Sequence, residues 1–376
     1  MHVLFTTPAY FPAVAFGGPI VMARELNEGM VARGHRVDVL TTTLSDIGSG
    51  LSYRSRTVDL DGVHVHYLAT PVRYRWMGMT PSLPLALARA RRPDICHVFG
   101  FRDPLGTATA AWCSARGIPY VLEPLGMFEP RVRKIALKRI LDRSVFRPIV
   151  TGAAAILATS EIERAAIVAA GAPAERVVVR GNGFPSPPDV HEPGRLRREA
   201  GVPEADQLVL YVGRIAAGKG IEWLLAAAEQ LPLAHFVFVG PDDGHGVAER
   251  LHEAATRNPR LHVLGPRDDA LALYADADLF VLPSEGESFG MVAAEAAAAG
   301  VPIVVTDRSG VSEFLGDAAV VVSAHEQAVV SAVRETLADP GRRARLGVAA
   351  REAALRNSWA RMVELQEQIY ISAMRR

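Results

Sequence analysis

Cysteine is scarce in this chain of 376 residues, and the two present, Cys96 and Cys113, stand apart in apolar company. That excludes a disulfide framework and a cysteine metal cluster, and predicts two reduced core thiols. Net charge is missing as well. The 41 basic residues balance 41 acidic ones, so no global field draws the chain to nucleic acid. No apolar run reaches the ~18 residues that a membrane-spanning helix needs. The opening Met1-His-Val-Leu-Phe-Thr-Thr-Pro8 lacks the basic start and long apolar stretch of a secretion signal. These absences together predict a protein of the cytoplasm. Lysine is the rarest charged residue: only Lys134, Lys138 and Lys219 interrupt an arginine set, which makes the setting of each informative.

What is present is alternation. Short apolar runs at 2–7, 37–41, 63–68, 95–99, 120–123, 155–158 and 177–179 are predicted strands. Helical patterns at 20–33, 105–116 and 161–170 fall between them, and each ends before a glycine (Gly34, Gly117, Gly171) suited to a helix C-terminus. Residues 182–194 hold four prolines and two glycines and are expected to be a linker. The alternation then restarts, with strands at 208–212, 236–239, 262–264, 279–282, 303–306 and 319–322 and helices at 222–230, 247–255 and 291–299. Strand–helix–strand succession implies an α/β chain of two doubly wound parallel sheets, 1–183 and 184–358. An amphipathic helix over 359–374 is expected to pack back on the first. Such sheets bind ligands beyond the C-terminal ends of their strands, which predicts a cleft with one substrate on each side.

Two segments of the second half carry the chemistry. Gly213-Arg-Ile-Ala-Ala-Gly-Lys-Gly220 follows a strand and precedes a helix. It nearly matches a P-loop, but Gly220 stands where a nucleotide hydrolase needs a hydroxyl for Mg²⁺. Arg214 and Lys219 can neutralise a diphosphate by direct contact, with no metal; the plain alternative is a glycine-rich turn with two solvated cations. In Pro283-Ser-Glu-Gly-Glu-Ser-Phe-Gly-Met-Val-Ala-Ala-Glu295, two carboxylates, Glu287 and Glu295, bracket a loop that opens a helix. Helix starts present N–H groups and positive potential to an anion. A glycosidase pair, with carboxyls roughly 5–9.5 Å apart, is compatible with the spacing, but a cationic phosphate-type turn has no purpose on a plain glycoside.

In the first half, Phe16-Gly17-Gly18-Pro19 precedes a helix and lets backbone approach a ligand, although it is not the G-x-G-x-x-G of nicotinamide sites. His97 is predicted at the C-terminal end of its strand, a cleft position. His64 and His66 alternate on one strand face without a third ligand, so a metal site is rejected there. Arg131, Arg133, Lys134, Lys138, Arg139, Arg143 and Arg147 are interleaved with apolar residues as in a basic amphipathic helix. Such a helix can contact an anionic membrane or a phosphorylated acceptor over 131–147.

In this order the motifs resemble the retaining glycosyltransferases of family 4 (glycosyltransferase group 1), which have the GT-B fold: two Rossmann-like domains facing a central cleft. The carrying pieces are Val212-Gly-Arg-Ile through Gly218-Lys-Gly220, Phe238-Val-Gly-Pro241, Leu282-Pro-Ser284, Glu287 and Glu295 at E-x7-E spacing, and Ala298-Ala-Gly-Val-Pro-Ile-Val304. The resemblance implies a transferase that moves a hexose-type sugar from a nucleoside-diphosphate sugar (UDP or GDP), without metal or cofactor, to a glycan, lipid-linked or small-molecule hydroxyl. It implies that Arg214 and Lys219 hold the diphosphate, with Ser288, Phe289, Gly290 and Met291 helping by their backbone. Glu287 would face the sugar, Glu295 the ribose, and Gly265, Pro266, Arg267 and Ser284 the base, while Gly17 and Gly18 bring backbone from the first domain. It also implies a role in bacterial polysaccharide or glycolipid assembly, and the basic stretch 131–147 would place that work at the inner face of the membrane.

Many relatives carry His-x-His where this chain has His97-Val-Phe99, leaving His97 as the candidate catalytic histidine. Pro124-Leu-Gly-Met127 and Ser309-Gly-Val-Ser-Glu313 also depart from common forms and leave acceptor and sugar open. A nucleotide-sugar epimerase or hydrolase, and a non-catalytic nucleotide-sugar-binding relative, are the alternatives.

Overall fold

A computed structural model describes residues 1–45, 52–74, 77–128, 146–186, 192–267 and 269–376. The chain forms two compact units, Met1–Gly183 with Trp359–Arg376, and Phe184–Ser358. Most of the basic stretch 131–147 lies outside the described residues.

The first unit is built on an eight-stranded sheet. In spatial order its strands are Val177–Val179, Ala155–Ala158, Tyr120–Glu123, Ile95–Phe99, His2–Thr6, Arg36–Thr42, Val63–Leu68 and Arg56–Leu60. All neighbours are parallel except the last pair. Helices cover these strands, so the central ones are apolar runs buried throughout, as in His2–Thr6 and Ile95–Phe99. The edge strand Arg56–Leu60, absent from the sequence reading, alternates charge with apolar residues and stays largely exposed. It reverses into Val63–Leu68 through Asp61-Gly62, both at positive φ, the two-residue turn whose twist suits a hairpin.

Helix Pro104–Arg116 shows how local sequence sets the boundaries. The Asp103 side chain accepts the Gly106 N–H at 2.8 Å, proline sits in the first turn, and Gly117 ends the helix at φ 60°. The C-terminal helix Trp359–Met374 belongs to this unit and buries Met362, Val363, Gln366, Tyr370 and Ala373, one helical stripe. Glu367, beside that stripe, accepts hydrogen bonds from Arg33 and pairs with His35.

The second unit holds six parallel strands in the order Leu261–Gly265, Ala234–Val239, Gln207–Val212, Leu279–Leu282, Ile303–Thr306 and Val320–Val322. The helix Ile221–Gln230 packs with Glu326–Ala338 on one side, and Met291–Ala298 with Pro340–Arg356 on the other. Alanine at 293, 294, 296, 297 and 298 is fully or nearly fully buried, which lets Met291–Ala298 lie close to its neighbours. Part of the expected linker is core: Phe184 is 1% exposed and packs edge-on against Phe289.

Candidate functional site

In the second sheet, Gln207–Val212 lies between Ala234–Val239 and Leu279–Leu282. Strand order reverses at that point, so the loops leaving Gln207–Val212 and Leu279–Leu282 border the crevice where such sheets take ligands. These loops, 213–220 and 283–290, are the two segments singled out from the sequence. The Glu285 N–H donates to the Gly218 carbonyl at 2.9 Å and joins them. A third loop follows Ile303–Thr306. It accepts the Glu287 N–H at the Arg308 carbonyl (3.0 Å), and its Gly310 and Val311 N–H groups donate to the carbonyls of Glu287 (3.3 Å) and Phe289 (2.8 Å). The buried Thr306 hydroxyl donates to the Ser284 carbonyl at 2.6 Å. Glu287 is therefore fixed through its backbone on both sides.

The side chains meet accordingly. Lys219 Nζ is ion-paired with Glu287 Oε1, at 17% and 21% side-chain exposure, and Ser284 Oγ donates to the same oxygen at 3.1 Å. Arg214 is exposed, and its guanidinium has no hydrogen-bonding or ionic partner among the described residues. Its carbonyl is held by the buried Tyr211 hydroxyl at 2.8 Å. Gly220 opens the helix Ile221–Gln230 at φ 70°. A Cβ there would stand 2.3 Å from the Pro283 carbonyl oxygen, so the position that holds a metal-binding hydroxyl in a P-loop admits only glycine here.

Gly290, at φ 103°, starts the helix Met291–Ala298 without a side-chain cap. The Phe289 ring is core, against Phe184 and Phe314, so only its backbone faces the loop side. Glu295 sits in the second turn, and the fully buried Tyr274 hydroxyl donates to its Oε2 at 2.7 Å. Burial pushes the Glu295 carboxyl up, and the Tyr274 bond works against that rise. Tyr274 is not among the residues that the sequence singles out; its signal is one aromatic hydroxyl in the otherwise apolar run 270–275.

Gly265 ends its strand and accepts the Gly240 N–H at 2.8 Å. The Arg267 guanidinium, beyond Pro266, is spoken for: it pairs with Asp269 at 2.9 Å and with Glu199, and Asp269 also pairs with Arg195. Hydrogen bonds from Arg267 hold the Asp269 carboxyl down to about 2. Arg267 thus serves this surface cluster, and what it could offer a base is backbone.

In the first unit, Gly17 caps the helix Gly18–Ala32, with Pro19 in its first turn. This loop follows His2–Thr6, which lies between Arg36–Thr42 and Ile95–Phe99, the order reversal of that sheet. His97 departs from expectation. It is the middle residue of Ile95–Phe99, 0% exposed, with Nδ1 2.7 Å from the Tyr370 hydroxyl and Nε2 3.2 Å from Glu123 Oε2. Burial lowers its pKa against the pull of Glu123. Enclosed under the C-terminal helix, it cannot touch a substrate, so its assignment as a catalytic residue is withdrawn. His64 and His66 bond to Asp59 and Thr57, and among the described residues no group of three metal-binding side chains occurs. Cys96 and Cys113 are free and buried. No helix among the described residues is long and apolar enough to cross a membrane.

Residues 17–183 match the family described as glycosyl transferase 4-like domain, and residues 194–353 the one described as glycosyl transferases group 1. A D-inositol 3-phosphate glycosyltransferase of Xylanimonas cellulosilytica is 29% identical over 405 residues, covering 96% of this chain and 93% of its own length. Among solved structures, sucrose-phosphate synthase from Thermosynechococcus elongatus matches with a TM-score of 0.77 at 22% identity over 98% of both chains. HepE of Anabaena in complex with UDP-glucose matches with a TM-score of 0.75 at 20% identity, again over 98% of both. At these identities the two structures speak for the fold alone.

Proposed function

The chain belongs to the family 4, or group 1, glycosyltransferases, with the GT-B fold, and we propose that it is a retaining, metal-independent enzyme acting on a nucleoside-diphosphate sugar. The observation that carries this reading is the Lys219–Glu287 ion pair where the strand order of the second unit reverses, with Arg214 exposed on the same loop as Lys219. A leaving diphosphate gains negative charge as the anomeric bond stretches. Arg214 and Lys219 offer fixed positive charge to it, and the start of Met291–Ala298 adds oriented N–H groups. This is the work a bound Mg²⁺ would otherwise do.

Glu287 then holds hydroxyls of the transferred hexose, and Glu295 those of the ribose. Neither acts as a nucleophile. The acceptor hydroxyl attacks from the face that the diphosphate leaves, and a phosphate oxygen takes its proton, so the configuration is retained. The acceptor is a hydroxyl of a glycan, a lipid-linked sugar or a small polyol, in bacterial polysaccharide or glycolipid assembly at the inner membrane face. D-inositol 3-phosphate, named for the Xylanimonas relative, belongs in the first acceptor panel.

A thermal-shift screen with uridine, guanosine, adenosine and thymidine diphosphates and their sugars is expected to raise the melting temperature with one base only. Turnover with that donor should survive chelation by EDTA. Lys219→Ala should lower kcat/KM roughly a hundred-fold, the scale of losing one charged donor to a developing anion. Undiminished turnover would sink the assignment. Tyr274→Phe removes a hydrogen bond that favours ionised Glu295, so the acid limb of donor binding should move to higher pH. A pH titration of the donor Kd reads this, and an unmoved limb separates Tyr274 from Glu295.

A further inference from the structure

Lys219 and Glu287 are paired to each other before any ligand arrives, and that pairing has a consequence for selectivity. Taking the proposed function as its ground, we infer that Glu287 is an internal counter-ion that Lys219 must exchange for phosphate, and that this exchange makes the site prefer the intact donor over the free nucleoside diphosphate. The backbone does not let the two residues drift apart. Lys219 is flanked by Gly218 and Gly220, whose loop is tied to Glu285, and Glu287 is bonded on both sides to the loop after Ile303–Thr306. With 17% of the Lys219 side chain exposed, a phosphate on Nζ competes with the Glu287 carboxylate for the same charge, and side-chain rotation lets it take that place. Ser284 Oγ, already on Oε1 at 3.1 Å, keeps one donor on that carboxylate once Lys219 has left.

The released carboxylate then meets one of two species. A sugar ester offers hydroxyl donors that replace Lys219 as partners. A free diphosphate offers none, and its terminal phosphate carries additional negative charge, which the nearby carboxylate repels. Glu287 accordingly favours donor and speeds product departure by the same change of partner. Arg214, without a carboxylate partner among the described residues, is the first contact for either species and does not discriminate.

The test is titration calorimetry of the full chain with uridine and guanosine diphosphates and their glucose and mannose esters, using wild type, Glu287→Gln, Lys219→Ala and the double variant. Glutamine keeps the shape and the Ser284 hydrogen bond but frees Lys219. Glu287→Gln should bind the preferred diphosphate roughly ten-fold more tightly and its sugar ester more weakly, with the gain shrinking as salt rises. The gain should shrink in the Lys219→Ala background, where only the repulsion between carboxylate and phosphate is left to relieve; loss of shape alone cannot produce that dependence. If Glu287→Gln weakens both ligands alike, or the gain is as large without Lys219 as with it, the counter-ion inference is overturned while the nucleotide site stands. If wild type binds none of these ligands, or Lys219→Ala binds the diphosphate as well as wild type does, the underlying function fails with it.

Discussion

Gly220→Ser, which would restore the hydroxyl of a metal-binding phosphate loop, is expected to destabilise the second unit by about 4 kcal/mol and to yield no ATP turnover. Two costs add. At φ 70° a side chain enters the left-handed region, at ~1–2 kcal/mol. The new Cβ would also lie 2.3 Å from the Pro283 carbonyl oxygen and 2.8 Å from Pro283 Cβ. Backbone cannot swing aside as a long side chain can, and overpacking of this kind costs ~1–3 kcal/mol. Relief has one direction, displacement of 283–287, which carries Ser284 and Glu287 away from Lys219. Donor binding should fall along with stability. Gly220→Ala is the control: the Cβ causes the damage, so alanine should lower the urea midpoint as much as serine. If serine leaves the midpoint unchanged and confers Mg²⁺-dependent ATP hydrolysis, this part of the loop is wrongly understood.

The same contact explains why these two loops stand out in the sequence. Gly220 broke a motif, and Lys219 was one of three lysines; both were visible as departures from expectation. Glu287 and Glu295 were legible because their spacing straddles a loop and a helix start. The strand partners that bring 213–220 beside 283–290 lie about 70 residues apart, yet the alternation placed both loops at strand C-termini, where doubly wound sheets gather ligand residues. Residues that act through burial were hidden. Tyr274 donates to Glu295 from 21 positions away, a relation without local periodicity. Arg267 is expected at the base, and its pairing with Glu199, 68 positions away, has no local signal, although Asp269 stands only two residues on.

The fold divides along similar lines. Parallel strands buried on both faces announce themselves as apolar runs, and these matched the central strands of both sheets within a residue or two. Arg56–Leu60 did not, since an exposed edge carries charge to blunt pairing with other chains; the Asp61-Gly62 turn was its signal. The hairpin of Val72–Tyr74 with Met77–Met79 has strands too short for any period to show. Phe184 sat among prolines, where composition masks a core aromatic.

His97 failed as a catalytic candidate for a reason that sets up the largest expected stability change: Arg180→Met should cost the first unit about 3–5 kcal/mol. Arg180 grips both Glu123 oxygens, at 2.8 and 2.9 Å, and also reaches Gln366 of the C-terminal helix, Asn182 and the Gly181 carbonyl. The pair has side-chain exposures of 1% and 0%. Burial alone would raise the Glu123 carboxyl, but Arg180 and His97 together carry it below its ordinary value. Methionine fills the space and leaves that carboxylate without its guanidinium, the costly case for a buried pair. The sign with pH follows. In the wild type, both Glu123 and His97 have lowered pKa values. Their contributions are present above their unfolded pKa values and are lost as pH falls, His97 first, below ~6.5, and Glu123 later, below ~4.3. In Arg180→Met the Glu123 carboxyl should rise and take up a proton, so the deficit against wild type should shrink on acidification. Chemical denaturation at neutral and mildly acid pH measures both numbers. Hydrogen exchange across Trp359–Met374 should quicken in the variant, since Gln366 loses its partner. Adding Glu123→Leu should recover much of the loss, because an apolar pair removes the stranded charge. A deficit that does not change with pH, or no recovery in the double variant, would mean that the loss comes from packing alone.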